Sequence, residues 1–317
     1  MDWFALAVRH RVLLATAFLV VFPLLMPFKA IAVNILIYGL FALGFNMLYG
    51  YLGLLSFGHS ALFGGGAYAC GIMMTKFGLP WWSGVIGAIV VGMLLAALIG
   101  ALAIRTRGIY FAMVTLALSQ CVYFAAYQAT AWTGGENGLR GVDLATIALP
   151  GVSLDFIDPM VRYYVVAAFV VFALWVLSRI LASPFGAVME AVRENEARAR
   201  ACGFDVSTTR WLAFVLSGAF CGLAGAMQAL QLGTVPIETL SYQTSGLAVM
   251  MALLGGMGTF FGPFIGAGVF LLLENLVSIY TVHWQLIVGA VFVACVLFFP
   301  RGIWGTALHW LQKPAQS

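Results

Sequence analysis

Few side chains in this sequence could do chemistry in water, and the densest group of them is concentrated in one place. Of the 26 charged residues, eight lie between Ser183 and Arg210: Glu190, Arg193, Glu194, Glu196, Arg198, Arg200, Asp205 and Arg210, with Arg179 just ahead of them. Elsewhere the candidates are scattered. Ser56 and His59 sit in a glycine-rich run, and Glu274 interrupts the apolar stretch LLLENLV. His59 could relay a proton or hydrogen-bond a neighbouring helix, and no acidic residue is near it in sequence. A carboxylate is costly inside a membrane, so Glu274 is expected to face a bundle interior or a cavity. Transport, proton coupling, or a structural hydrogen bond with Asn275 or with a helix of a second subunit would all satisfy it. His10, His59, His283 and His309 are far apart, and no HExxH or Ser/His/Asp pattern is present. The five cysteines show no CxxC spacing, so neither a disulfide framework nor a metal site is expected. G-x-x-x-x-G-K-[ST] does not occur, and Thr133-Gly-Gly-Glu-Asn-Gly138 is a turn sequence rather than a phosphate loop. Any ATP used must be hydrolysed by another polypeptide.

The elements that position these residues follow from composition. Hydrophobic residues make up 63% of the chain and charged residues 8%, against about 25% charge in soluble domains. Lipid must be the solvent. The net charge of +4 gives no argument for nucleic acid, because no Lys/Arg run is interleaved with aromatics. The class is all-α: a polytopic membrane protein of about eight to ten transmembrane helices forming a single domain over 1–317. Apolar segments are expected at Val12–Pro27 (a retained first helix rather than a signal peptide), Ala30–Tyr49, Gly53–Thr75, Trp82–Ile104, Ile109–Ala131, Arg162–Leu181, Trp211–Leu232, Tyr242–Tyr280 and Trp284–Phe299. The stretch 242–280 is too long for one span and breaks at Gly255-Gly256-Met257-Gly258, ahead of Gly262-Pro263. Lys and Arg collect on the cytoplasmic side. Arg9, Arg11, Arg105, Arg107, the charged island, Arg301 and Lys313 all fall on one side if there are ten crossings. Both termini are then cytoplasmic, and the loop 132–161, with Glu136, Asp143, Asp155 and Asp158 against Arg140, is external.

Two glycine clusters carry alternative readings. Gly50, Gly53, Gly58, Gly64, Gly65 and Gly66 would each weaken a helix by about 1 kcal/mol relative to Ala, yet they also let backbones pack closely. The alternative is a broken or re-entrant helix lining a polar cavity, with Ser56 and His59 nearest the solute. The second cluster, with Gly255, Gly256, Gly258, Gly262 and Pro263, reads as a hinge or tight turn, or as a gate. In the charged island, Phe185, Val188, Met189 and Val192 recur at helical spacing. Ser183-Pro184 is a helix start and Gly203 a stop. One amphipathic helix over about 184–202 is expected across the cytoplasmic face, within a loop of about 183–210. Its mixed charge fits a protein socket better than an anionic lipid surface.

Several blocks resemble a known family. Gly50-x-x-Gly53-Leu-x-Ser56-x-Gly58-His59 and Gly64-x-Gly66-Ala67-Tyr68 resemble the branched-chain amino acid ABC importer permeases, in particular the LivM type of the LivH/LivM permease family. So do Gly108-x-Tyr-Phe-Ala-x-x-Thr115-Leu-Ala117, Thr133-Gly-Gly-x-Asn-Gly-Leu139, Ala191-Val-Arg-Glu-Asn-Glu-Ala197 through Gly203, Leu254-Gly-Gly-Met-Gly258 with Gly262-Pro-x-x-Gly-Ala267, and Phe299-Pro-Arg-Gly302. The resemblance implies a permease in a bacterial inner membrane that moves branched-chain amino acids, or on the same scaffold urea, short amides or similar solutes. It implies a heterodimer with a second homologous permease, two cytoplasmic ATPases that hold the ATP and Mg, and a periplasmic solute-binding protein. No cofactor and no catalytic residue would belong to this chain. Glu190, Arg193, Glu194, Asn195, Glu196, Arg198 and Gly203 would couple to the ATPases. Ser56, Gly58, His59, Gly64, Gly66, Thr115 and Glu274 would lie on the pathway. A proton-coupled secondary transporter using His59 or Glu274 is the competing reading; it would need no charged socket.

Overall fold

The computed structural model describes residues 11–25, 28–142, 147–149, 152–154, 156, 158–281, 283–299 and 301–312. Asp143, Asp155, Lys313 and the first ten residues lie outside these. Apolar sequence folds into helices because backbone polar groups in lipid must be satisfied within the segment. The elements in order are α1 (Arg11–Leu25), α2 (Lys29–Leu52), α3 (His59–Thr75), α4 (Trp81–Ala103) and α5 (Ile109–Gln128). The short α6 (Thr130–Thr133) leads through a 3-10 turn to β1 (Leu139–Arg140), β2 (Ile147–Leu149) and β3 (Val152–Leu154). Then come α7 (Pro159–Leu181), α8 (Pro184–Glu194), α9 (Glu196–Ala201), α10 (Val206–Leu232), β4 (Thr234–Val235), α11 (Tyr242–Gly255), α12 (Gly262–Tyr280), α13 (Trp284–Phe298) and α14 (Gly302–Gln312).

Among the described residues, seven helices are long and apolar enough to cross a membrane: α2, α4, α5, α7, α10, α12 and the stretch Trp284–Ala307. α1, α3 and α11, at 15, 17 and 14 residues, are the short members. The architecture is therefore the all-α polytopic bundle expected, and two of the short members are the segments marked as partial. α2 and α10 are the central pillars, with 83% of the spanning window of each buried. Outer helices keep apolar faces for lipid, such as Leu94, Leu98 and Leu102 on α4. Small residues let α3, α4 and α10 touch backbone to backbone. A Cβ on Gly66 would lie 2.6 Å from the Gly222 Cα, and one on Gly222 would lie 3.3 Å from the Gly92 Cα.

The two ends of the bundle differ. At one, Arg107, Arg193, Arg200, Arg210 and Arg301 collect around α8 and α9. At the other, β1 pairs antiparallel with β4 (Leu139 with Val235), and Arg162 donates to the Gln231 and Phe156 carbonyls at 3.2 and 2.9 Å. Of the basic residues expected on one face, Arg107, Arg301 and those of the charged island lie at the first of these ends, the basic end, while Arg9 and Lys313 fall outside the described residues.

Two crossings are broken, in opposite senses. α2 reaches the basic end, and residues 53–58 then return as irregular chain before α3 begins at His59. After α10, the chain descends beside α3 as β4 and a 3-10 turn (Ile237–Leu240), and only then forms α11, which runs to the basic end. The N-termini of α3 and α11 overlap inside the bundle: the Ser60 amide donates to Ser245 Oγ at 2.8 Å.

Candidate functional site

The first break is held by side-chain hydroxyls from three helices. Irregular backbone at membrane depth is tolerated only when something replaces the lost helical bonds. The Phe57 amide donates to Thr115 Oγ1 (3.1 Å), and the Gly58 amide to Ser56 Oγ (3.1 Å). The Phe57 carbonyl accepts from Ser245 Oγ at 2.8 Å and from Ser119 Oγ at 3.4 Å. His59 closes the set: Nδ1 lies 3.2 Å from the Ser56 carbonyl and Nε2 2.9 Å from Ser217 Oγ, with Phe45 and Phe214 packed edge-on to the ring. Ser56, His59, Thr115, Ser119, Ser217 and Ser245 are all buried. Both ring nitrogens of His59 are occupied by protein partners, which is the interhelical bonding reading rather than a proton relay.

Four of the expected pathway residues, Ser56, Gly58, His59 and Thr115, are thus brought together. Gly64 and Gly66 are not part of that cluster; they are packing glycines facing Leu240 and Gly222. Glu274 lies apart on α12, half-buried and within electrostatic reach of Tyr38. Of the alternatives for Glu274, a hydrogen bond with Asn275 is not present; the Asn275 amide donates to the Leu271 carbonyl one turn back at 2.8 Å.

The second break carries Gly255, Gly256, Gly258, Gly262 and Pro263 as a tight turn between α11 and α12. Gly256 (φ 115°) and Gly258 (φ 74°) occupy left-handed space that disfavours a side chain. Pro263 fits the first turn of α12, where its missing N–H is not needed. Asn46 of α2 splints this turn: its Oδ1 accepts from the Gly258 amide (2.9 Å), and its Nδ2 donates to the Thr259 carbonyl (3.1 Å).

The charged island differs from the single helix expected. It is two helices, because Asn195 is extended (φ −155°, ψ 100°) and its side chain accepts from the Arg198 amide at 2.9 Å. Asn is a strong N-cap and a poor helix interior residue, so it ends α8 and starts α9. Gly203 (φ 89°) then closes α9: its amide donates to the Arg200 carbonyl and the Phe204 amide to the Ala199 carbonyl, the paired bonds of a Schellman stop. Met189 and Val192 are buried against the body.

The charges of the island fall into two groups. Glu190, Glu194 and Arg198 are exposed, and their side chains make no ion pair or hydrogen bond among the described residues. Arg193 and Glu196, expected as rim contacts, also have partners within the chain: Glu196 is half-buried, and Arg193, itself exposed, reaches back with its guanidinium. Glu196 gathers Arg107 (3.3 Å), Arg200 (2.8 Å) and Arg210 (2.7 Å), tying α9 to the α4–α5 loop and to α10. Arg193 donates through Nη1 to the Gly50 carbonyl in the last turn of α2. The final carbonyls of a helix lack intrahelical donors, and a cation there also meets the negative end of the helix dipole. A Cβ on Gly258 would come within 2.8 Å of Arg193 Nη1, so the same guanidinium borders both glycine breaks. At the start of α10, hydrogen bonds from Thr208 and Ser207 hold the Asp205 carboxyl below its ordinary pKa.

Asn46, Ser119, Ser217, Glu238 and Ser245 were not selected from the sequence. Each lies in apolar or mixed surroundings, and only the packing reveals the partners of the first three and of Ser245 and the setting of Glu238.

The sequence matches the family described as "Branched-chain amino acid transport system / permease component" over residues 28–296. It is 30% identical to the high-affinity branched-chain amino acid transport system permease protein LivM of Salmonella typhimurium, over 86% of this chain and 69% of that protein. It is 32% identical to the autoinducer 2 import system permease protein LsrC of Klebsiella pneumoniae, over 57% of this chain and 47% of that protein. It is also 25% identical to the permease protein LivH of Salmonella typhimurium, over 84% of this chain and 91% of that protein. No solved structure gives a significant match.

Proposed function

This chain belongs to the branched-chain amino acid transport system permease family, and from that premise we propose that it is one membrane half of an ATP-driven importer for branched-chain amino acids. Transport rather than catalysis is the work of the chain. The observation that carries the proposal is the α8–α9 element. Its apolar residues are buried in the body, Glu190, Glu194 and Arg198 are left free on the outside, and Arg193 reaches both glycine breaks. An element built this way can receive a push from a soluble partner and pass it to the segments whose irregular backbone can move.

The partners in this reading are two cytoplasmic ATPases seated on α8 and α9, a second homologous permease beside this one, and a periplasmic binding protein that delivers the solute to the end formed by β1 and β4. ATP and Mg belong to the ATPases. The basic end faces the cytoplasm of a bacterial inner membrane, since Lys and Arg are retained on that side. Both termini then lie inside.

The test is uptake. The tagged chain is purified from its own cells with whatever co-purifies, reconstituted into proteoliposomes, and assayed with labelled leucine, isoleucine and valine. ATP-dependent uptake of these, in preference to urea or acetamide, is expected. Uptake that persists without ATP and follows a proton gradient would overturn the reading. Cysteines at Ser153 and Thr208, with the native cysteines replaced, should label from opposite sides of the membrane.

A further inference from the structure

The broken crossing that leads into α11 carries a carboxylate that no protein group neutralises. Glu238 sits in the 3-10 turn Ile237–Leu240, exposed, with no ion pair or side-chain hydrogen bond among the described residues. Its level in the bundle is set by its neighbours. Val235 packs at the height of Gly71 on α3, and Leu240 at the height of Gly64. Glu238 therefore lies near the height of Tyr68, about 10 Å inward of the far end of α3 at 1.5 Å per residue. A free carboxylate at that depth cannot face hydrocarbon and must border water or a ligand.

Two further observations point to what it meets. The Tyr68 hydroxyl is buried, in a residue only 5% exposed, and has no hydrogen-bond partner among the described residues. It lies within electrostatic reach of Glu238 and of Tyr123 on α5. A buried hydroxyl left unpaired is destabilising, and a polar solute group would satisfy it. Three residues after Glu238, Ser241 precedes α11 without a side-chain cap bond, and the first residues of the helix, Tyr242 and Gln243, are exposed. The Ser241 and Thr244 amides already donate to the Glu238 and Ser241 carbonyls, so the first turn presents the N–H groups of Tyr242 and Gln243 and the positive end of a helix dipole. Half-helix N-termini inside a membrane suit anionic solute groups. A negative carboxylate, a free phenol and a positive helix end thus stand side by side along one non-helical segment.

We propose that Glu238, Tyr68 and the first turn of α11 form the site that holds the head group of an α-amino acid in transit. Glu238 and the Tyr68 oxygen receive the ammonium, and the N–H groups at the start of α11 receive the carboxylate. The inference rests on the amino-acid reading above and adds which residues recognise the zwitterion. The hydrocarbon side chain is not read here, which leaves selection among branched side chains to other surfaces.

The test uses the complete reconstituted assembly with saturating binding protein and labelled leucine. Glu238→Gln keeps the shape and removes the charge; its maximal uptake rate should fall at least tenfold. Glu238→Asp should restore a substantial part. Tyr68→Phe removes a hydroxyl that bonds to nothing in the protein, so the assembly's melting temperature should hold or rise while uptake falls severalfold. Uptake by Glu238→Gln within twofold of the parent would overturn the site. So would uptake by a folded Tyr68→Phe assembly within twofold of the parent, and this variant keeps the proposal testable should Glu238→Gln fold poorly. Failure of the parent assembly to take up leucine would instead count against the amino-acid reading itself.

Discussion

Asn46 uses both ends of its amide on a single turn 212 residues away: Oδ1 takes the Gly258 amide and Nδ2 gives to the Thr259 carbonyl. The side chain is fully buried in one of the two most enclosed spanning helices of the bundle. One residue of α2 thereby fixes the turn between α11 and α12, and α2 is also the helix whose last turn Arg193 grips. Asn46→Leu keeps the volume and strands both backbone groups. Each should cost about 1–3 kcal/mol. The melting temperature of the purified chain should drop by several degrees, and a variant as stable as the parent would show the splint to be idle.

Arg193 is expected to transmit rather than to dock. Arg193→Met leaves the Gly50 carbonyl without its donor while keeping the apolar stem. Amide exchange should rise in segments 50–58 and 256–262 and remain unchanged in α10. In the full assembly the ATPases should still co-purify, with solute-stimulated hydrolysis reduced at least tenfold. Loss of the ATPases instead would return Arg193 to the docking surface.

The glycines separate into two kinds that a substitution pair can distinguish. A Cβ on Gly66 meets the Gly222 backbone at 2.6 Å, whereas one on Gly246 meets nothing within 4 Å. Gly66→Val should overpack the α3–α10 contact and cost about 1–3 kcal/mol or more. Gly246→Ala should be neutral, or stabilise by up to about 1 kcal/mol as a helix interior change. Thermal unfolding of the two variants side by side decides it; equal effects would contradict the packing described.

Much of the fold could be read from the sequence because lipid demands long apolar helices and punishes every exception. Both breaks were visible as glycine clusters, and Ser56, Gly58, His59 and Thr115 do meet. The charged island was legible as a helix on the basic end, but the bend at Asn195 was not. Its cause is one side chain choosing to cap rather than continue, a choice that helical periodicity does not register. The partners that Arg193 and Glu196 find within the chain were not legible for a related reason: charge on an amphipathic helix says that a residue is polar, not which way its long side chain folds. Asn46, Ser217 and Ser245 are single polar residues whose partners come from distant helices, so only the packing could nominate them. Glu274 stood out in sequence by its apolar surroundings. Glu238, in a more mixed stretch beside Pro236 and Thr239, stood out only once its neighbours were in place.

The central claim is that the free charges of α8 and α9 seat an ATPase. Glu190→Arg, Glu194→Arg and Arg198→Glu combined reverse those charges and leave Arg193 and Glu196, which are bonded within the chain, untouched. None of the three side chains has a partner among the described residues, so the chain should fold and insert as before. Rim charges are individually weak but jointly specify a partner, since reversal sets like charges against each other. The measurement is the amount of ATPase recovered with the tagged triple variant, together with its solute-stimulated hydrolysis. The account predicts that both fall to background while the chain's own melting temperature is kept. Recovery of the ATPases at the parent level, with full stimulation, would contradict it.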